Sequence, residues 1–110
     1  MDQNNEKDEL ISIAMQIILH AGDARNYNSQ ALDKAIEGNF EEAKRLYELA
    51  KMNINKSHLC QTNIIQKEAN GHEFPSCLLF NHAQDTLMTI NSELLLSEKI
   101  IRWMEMMKSN

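Results

Sequence analysis

His82-Ala83-Gln84-Asp85 places an imidazole and a carboxylate three residues apart, about one helical turn, on adjoining parts of one surface. Such a pair could carry a transferred group or contribute to a metal site. By spacing alone it is equally an ordinary polar contact on a helix. One His and one Asp fall short of the three or four ligands a metal needs, unless symmetry supplies the rest. The other histidines have simpler readings: His20 lies in an apolar stretch, His58 is one turn from Gln61, and His72 sits in a loop. No Gly-rich loop, G-x-S-x-G or H-E-x-x-H accompanies them, so a self-contained enzyme for a small metabolite is not expected.

The elements that must position these residues are helices. Three Gly and one Pro are the only strong breakers in 110 residues, and Gly38 and Gly71 each end a long uninterrupted stretch. The pattern predicts helices over about residues 6–37, 40–70 and 77–108, each on the order of 45 Å long, with no strand alternation. Gly38 and Gly71 sit where a left-handed C′ residue belongs. Asn39 reads as the next N-cap with Glu42 at N3, and Ser76 as the cap of the third helix. The short first turn forces antiparallel neighbours, which gives an all-α, up-down-up three-helix bundle. Near-equal lengths point to one layer of side-by-side packing. Gly22, alone inside the first helix, marks either a close helix contact or a bend.

Apolar residues recur at alternating three- and four-residue spacings. On the second helix the stripe is Phe40, Ala43, Tyr47, Ala50, Ile54, Ser57, Gln61 and Ile64. On the third it is Phe80, Ala83, Leu87, Ile90, Leu94, Ser97, Ile101 and Met104. The opposite side of the third helix carries Leu78, Asn81, Asp85, Thr89, Ser92, Leu96, Lys99 and Trp103, a mixture unusual for a face meeting solvent. Contact with another subunit explains it, and self-association is expected.

Hydrophobic residues make up 43% and charged residues 25%, the profile of one folded domain spanning residues 1–110. The net charge of −5 argues against a nucleic-acid surface, which requires clustered basic residues. The longest strictly apolar run, Ile17-Ile18-Leu19, is far short of the roughly 18–20 residues of a membrane span. The acidic, polar start from Met1 to Glu9 is the reverse of an export signal. Cys60 and Cys77 are too few and too far apart for a disulfide framework and are expected as free thiols, which fits a cytoplasmic protein.

His82-Ala83-Gln84-Asp85-Thr86-Leu87-Met88-Thr89 resembles the active-site segment of the lactose/cellobiose-type enzyme IIA proteins of the bacterial phosphoenolpyruvate-dependent sugar phosphotransferase system. Ala21-Gly22-Asp23-Ala24-Arg25 is similar to that family's G-x-A-R element, and Glu37-Gly38-Asn39-Phe40-Glu41-Glu42-Ala43 to its first turn. His58, Gln61-Thr62, Gln66, Glu68 and Gly71 resemble the end of its second helix, so the likeness runs from Leu10 to Met107. It implies a homotrimer that accepts a phosphoryl group from the phosphocarrier protein HPr on His82 and passes it to a cysteine of enzyme IIB during disaccharide uptake. Asp85 matches the residue whose three copies meet on the threefold axis around a metal. Gln84 matches a motif position with a candidate supporting role.

The physics of each implied role is consistent. A neutral imidazole nitrogen can attack phosphorus in line, because catalysis of phosphoryl transfer is mostly positioning and charge stabilisation. Three Asp85 carboxylates at one axis would repel, and Mg²⁺ or a similar hard cation would relieve that. Many relatives carry a second His where this chain has Thr86, whose hydroxyl is expected to donate to a phosphate oxygen instead. Sugar contacts belong to the membrane component, leaving lactose, cellobiose and chitobiose open.

A different class of reading comes from the stretch Ala35 to Ala43 followed by Tyr47 and Ala50, which resembles part of a tetratricopeptide repeat or a related non-catalytic helical adaptor. Such arrays repeat about every 34 residues with short helices. Here the segment occurs once, before an unbroken predicted helix of roughly 30 residues.

Overall fold

Both interruptions of the helical pattern fall on glycines in the left-handed region, Gly38 at φ 85° and Gly71 at φ 97°. Each closes a helix with paired bonds: Gly38 N–H donates to Ala35 O and Asn39 N–H to Lys34 O, and Gly71 N–H donates to Glu68 O and His72 N–H to Lys67 O. Asn39 at once caps the next helix, its side-chain oxygen accepting from Glu42 N–H at 3.2 Å. One residue thus ends one helix and starts another. The Glu42 carboxylate does not complete a reciprocal capping box; it pairs with Arg45.

The computed structural model describes residues 3–109 as α1 (Gln3–Ile36), α2 (Phe40–Ala69) and α3 (Leu78–Ser109), with no strand among them. Ser76 is not the cap of α3. The helix starts one residue later than that cap requires, and the Cys77 carbonyl accepts its first bond from Asn81 N–H.

Hydrogen bonds between helices set their directions. Arg25 meets Glu93 and Asn28 meets Ser97, so α1 and α3 rise together. Tyr47 meets Leu94 and Gln61 meets Gln84, so α2 runs against α3. The chain goes up, down and up. All three helix pairs touch, which closes a triangular rod of 62 × 21 × 18 Å rather than one flat layer.

The core forms along the expected stripes. Every predicted member on α2 and α3 is buried except Phe40 and Met104, which are half-buried near one end of the bundle. The matching stripe on α1 is dominated by small residues, with Ala14, Ala21, Ala24, Ala31 and Ala35 all inaccessible or nearly so. Alanine lets neighbouring helices approach closely. At that distance short polar side chains reach across: Ser57 Oγ donates to Ile17 O at 2.5 Å, and Asn28 Nδ2 donates to Ser97 Oγ at 2.9 Å. The polar stripe members are therefore cross-helix fasteners in a low-dielectric interior where an unmade bond is expensive, and among the described residues only Asn28 Oδ1 is buried there without a partner.

Gly22 corresponds to no close helix contact. A Cβ built there meets nothing within 4 Å, whereas one at Gly38 runs into the Lys108 Nζ that donates to the Gly38 carbonyl. Cys60 is half-buried and Cys77 buried, both as free thiols.

Two glycine substitutions should act in opposite directions. Gly22→Ala should raise unfolding free energy by about 0.5–1 kcal/mol, since it adds helix propensity at no steric cost. Gly38→Ala should lower it by about 1–2 kcal/mol, because an L side chain pays to remain left-handed. Urea denaturation of the two variants reads both signs. A third test concerns Tyr47, whose hydroxyl donates to Leu94 O at 3.0 Å. Burial, followed by the nearby Glu98 carboxylate, pushes its pKa up to about 12. A folded-state pKa above the unfolded value of about 10 gives stability that is complete below pH 10 and lost as pH rises towards 12. The stability difference between wild type and Tyr47→Phe should accordingly be flat up to pH 10 and shrink above it.

Candidate functional site

His82 and Asp85 both lie in the first turns of α3 and both are exposed. Neither side chain makes a hydrogen bond or ion pair among the described residues, so the two do not engage each other. The imidazole is open to solvent and has no partner among the described residues to displace.

Helix geometry distributes the neighbouring side chains around α3. Buried Phe80, Ala83 and Leu87 define the side facing the core, and Asp85 points almost directly away from it. His82 falls on the flank beside α1. The marker is Glu93, eleven residues on and so within about 20° of His82 around the helix, which is gripped by Arg25 of α1. Gln84 falls on the other flank, beside α2, where its Oε1 accepts from Gln61 Nε2 at 3.1 Å. Gln84 and His82 are thus about 160° apart around the helix and do not meet within one chain.

The Arg25 to Glu93 pair is bidentate, at 3.0 and 2.7 Å, and links the G-x-A-R segment of α1 to α3 three turns beyond His82. Its hydrogen bonds with Glu93 hold the Arg25 guanidinium above its ordinary pKa, against a small opposing effect of burial. The pair is roughly half exposed, so it contributes geometry more than stability.

The Thr86 hydroxyl is not free for a ligand. Its Oγ1 donates to the His82 carbonyl at 3.0 Å, the back-bond a threonine makes within a helix. In the unliganded chain the hydroxyl is turned to that carbonyl. Of the other histidines, His20 and His58 are half-buried, and His72 lies 2.6 Å from Glu6 Oε1 with its ring 4.4 Å from that of Phe74. That contact ties the α2–α3 loop to the start of α1.

A cavity of about 180 Å³ lined by Phe74, Ser76, Cys77, Asn81 and Gln84 adjoins this end of the bundle but excludes His82. A groove of about 360 Å³ between α2 and α3, lined by Lys44, Tyr47, Lys51 and Arg102, lies towards the far end. His82 is exposed and lines neither of these cavities. Among the described residues no group of three His, Cys, Asp or Glu side chains could hold a metal. Among the described residues no helix is long and apolar enough to cross a membrane.

Glu93 stands out only after folding, and Gln61, one of the residues that carry the family likeness, shows its partner only there. Gln61 is 8% exposed and reads in the sequence as one polar member of a core stripe; its pairing with Gln84 depends on the register of α2 against α3.

Comparisons with known proteins agree with this geometry. Residues 12–105 match the family model described as the lactose/cellobiose-specific IIA subunit of the phosphotransferase system. The lactose-specific EIIA component of Lacticaseibacillus casei is 40% identical over 83 residues, covering 76% of this chain and 74% of that protein. The crystal structure of a cellobiose-specific enzyme IIA from Bacillus anthracis superposes with a TM-score of 0.84 at 34% identity, covering 90% of this chain and 91% of the other. The IIA component in solution structures of a IIA(chitobiose)–HPr complex superposes with a TM-score of 0.79 at 33% identity, covering 90% and 96%. With unbroken helices of 30 to 34 residues and no repeat of the Ala35 to Ala50 segment, the adaptor reading falls away. The chain belongs to the lactose/cellobiose-specific IIA family of the bacterial sugar phosphotransferase system.

Proposed function

We propose that this protein is a phosphocarrier that takes a phosphoryl group from phospho-HPr on His82 and delivers it to a cysteine of an enzyme IIB during disaccharide uptake. The observation that carries the reading is the state of His82: an exposed imidazole with no partner, held at the start of a rigid 32-residue helix. A nitrogen lone pair of the ring attacks phosphorus as the bond between phosphorus and the donor's phosphohistidine nitrogen breaks. In the second half-reaction the IIB thiolate attacks the same phosphorus and the imidazole leaves, which regenerates His82. Both steps are displacements at one phosphorus and require alignment more than new chemistry. The shallow presentation of His82 lets two different proteins reach it in turn.

The outward face of α3 supports a homotrimer. Leu78 is 84% exposed, and Leu96 and Trp103 are each 61% exposed, on the same side as Asp85. Covering that face with copies of itself buries the apolar groups and brings three Asp85 side chains together. Hard carboxylate oxygens from three chains fit Mg²⁺ or a similar divalent cation, and no alternative donor set exists within one chain among the described residues. Such a cation supplies neutralisation of the carboxylate charges at the interface. His82, on the flank of α3, is not a ligand in this arrangement.

Incubation with phosphoenolpyruvate, enzyme I and HPr should add one acid-labile phosphoryl group per chain by intact mass, and none to His82→Ala. An unlabelled wild type, in a relay shown to label another acceptor, would overturn the reading. Asp85→Leu should sediment as a trimer without divalent cation, since an apolar side chain replaces a buried charge cluster; a monomer would remove Asp85 from the axis. Thr86→Val should accept phosphate within about threefold of wild type, less than ~0.7 kcal/mol of barrier, because the hydroxyl it loses serves the His82 carbonyl.

A further inference from the structure

The acidic and basic side chains of α3 divide into two sets. Glu93 is gripped by Arg25, Glu98 pairs with Arg102, Glu105 pairs with Lys44, and Lys108 donates to the Gly38 carbonyl. Asp85 and Lys99 alone have no partner among the described residues. Both are exposed, and they stand 14 residues apart, two heptads, on the outward side of the helix. At the three- and four-residue spacings where an acid could pair with Lys99 stand Leu95, Leu96, Arg102 and Trp103 instead. The three apolar members of that set are all exposed, so Lys99 is an uncompensated cation within an apolar patch.

We propose that three Lys99 side chains converge in the trimer to bind a tetrahedral oxyanion, phosphate or sulfate, on the threefold axis. The inference rests on the trimer reading above and adds a second site to it, far from His82. With parallel copies of α3 around the axis, a position two heptads beyond Asp85 returns to the same side of the helix, displaced by about 40° and raised by about 21 Å. The flexible four-carbon stem of lysine spans such an offset. Leu96 and Trp103, on the same outward side, close the contact around the three ammonium groups. Brought together there, the ammonium groups repel one another and lose water, a cost that nothing within one chain offsets. An oxyanion offsets it, because three oxygens of a tetrahedron aligned with the axis each accept a charge-assisted bond from one subunit. One chain holds a third of the site, so ligand and trimer stabilise each other.

Sodium phosphate exchanged for sodium chloride, at constant ionic strength and constant magnesium, should tighten the wild-type trimer about tenfold in sedimentation equilibrium. Sulfate should do the same. The emission of Trp103, the one tryptophan and a helical turn from Lys99, should change saturably over the same range of phosphate. Lys99→Met keeps the stem without the charge; its trimer should be at least as tight as wild type in chloride, indifferent to phosphate, and labelled at His82 as wild type is. Lys99→Arg should keep the response to both oxyanions. A wild-type trimer that ignores phosphate, or a Lys99→Met trimer that responds as wild type does, would overturn the proposal and leave the trimer reading standing. A wild type that sediments as a monomer in every buffer, or as a dimer with Lys99 set against Asp85 of an antiparallel copy, would overturn both. Phosphoryl labelling of His82 decides the phosphocarrier reading separately in every case.

Discussion

The structure depends on how closely α1 lets its two neighbours approach. Five buried alanines on one stripe leave little side chain between the helix axes, and α2 and α3 settle against that surface. Tight approach increases dispersion contacts and excludes water, but its larger consequence is for the short polar groups. A serine hydroxyl bonds to a neighbouring helix only when the backbones are near, as Ser57 Oγ does in donating to Ile17 O and Ser97 Oγ in accepting from Asn28 Nδ2. Slip of either helix by a turn would strand these groups in a dry interior. Small residues and buried polar groups together therefore specify one register, where a purely apolar seam would allow several.

Register is what the functional end of the molecule requires. The pairing of Gln61 with Gln84 lies on the same α2–α3 seam as the bond from Tyr47 to Leu94, well along the rod. Arg25 and Glu93 do the equivalent work between α1 and α3. Exposed ion pairs such as Lys44 with Glu105 add little free energy, and their value lies in reinforcing a geometry the core has already chosen. A phosphocarrier benefits from this rigidity. In the role proposed for it, the His82 imidazole must be accessible to two proteins in succession, and a helix surface presents the same target to each.

The outward side of α3 reconciles two demands on one helix. Its inner stripe of Phe80, Ala83, Leu87 and Ile90 holds the bundle together, and its outer side carries Asp85 among Leu78, Leu96 and Trp103. His82 and Gln84 occupy the flanks between these surfaces, where neither the core nor an axial contact would cover them.

Helix number, the two glycine turns and the buried stripes were all legible in the sequence, because breakers, left-handed C′ glycines and three- and four-residue spacing are local properties of the chain. The segment from His82 to Thr89 and the G-x-A-R element also identified the family before any coordinates, since ordered motifs do not depend on packing. Tertiary structure alone decided which polar groups are engaged. Gln61, a polar interruption of a stripe, pairs with Gln84; Asn28 reaches across to Ser97; and Gly22 meets nothing. The physical reason is one of range. Helix formation is written in neighbours three and four residues apart, whereas these outcomes depend on the distance and rotation between helices joined by residues 23 to 69 positions apart in the chain.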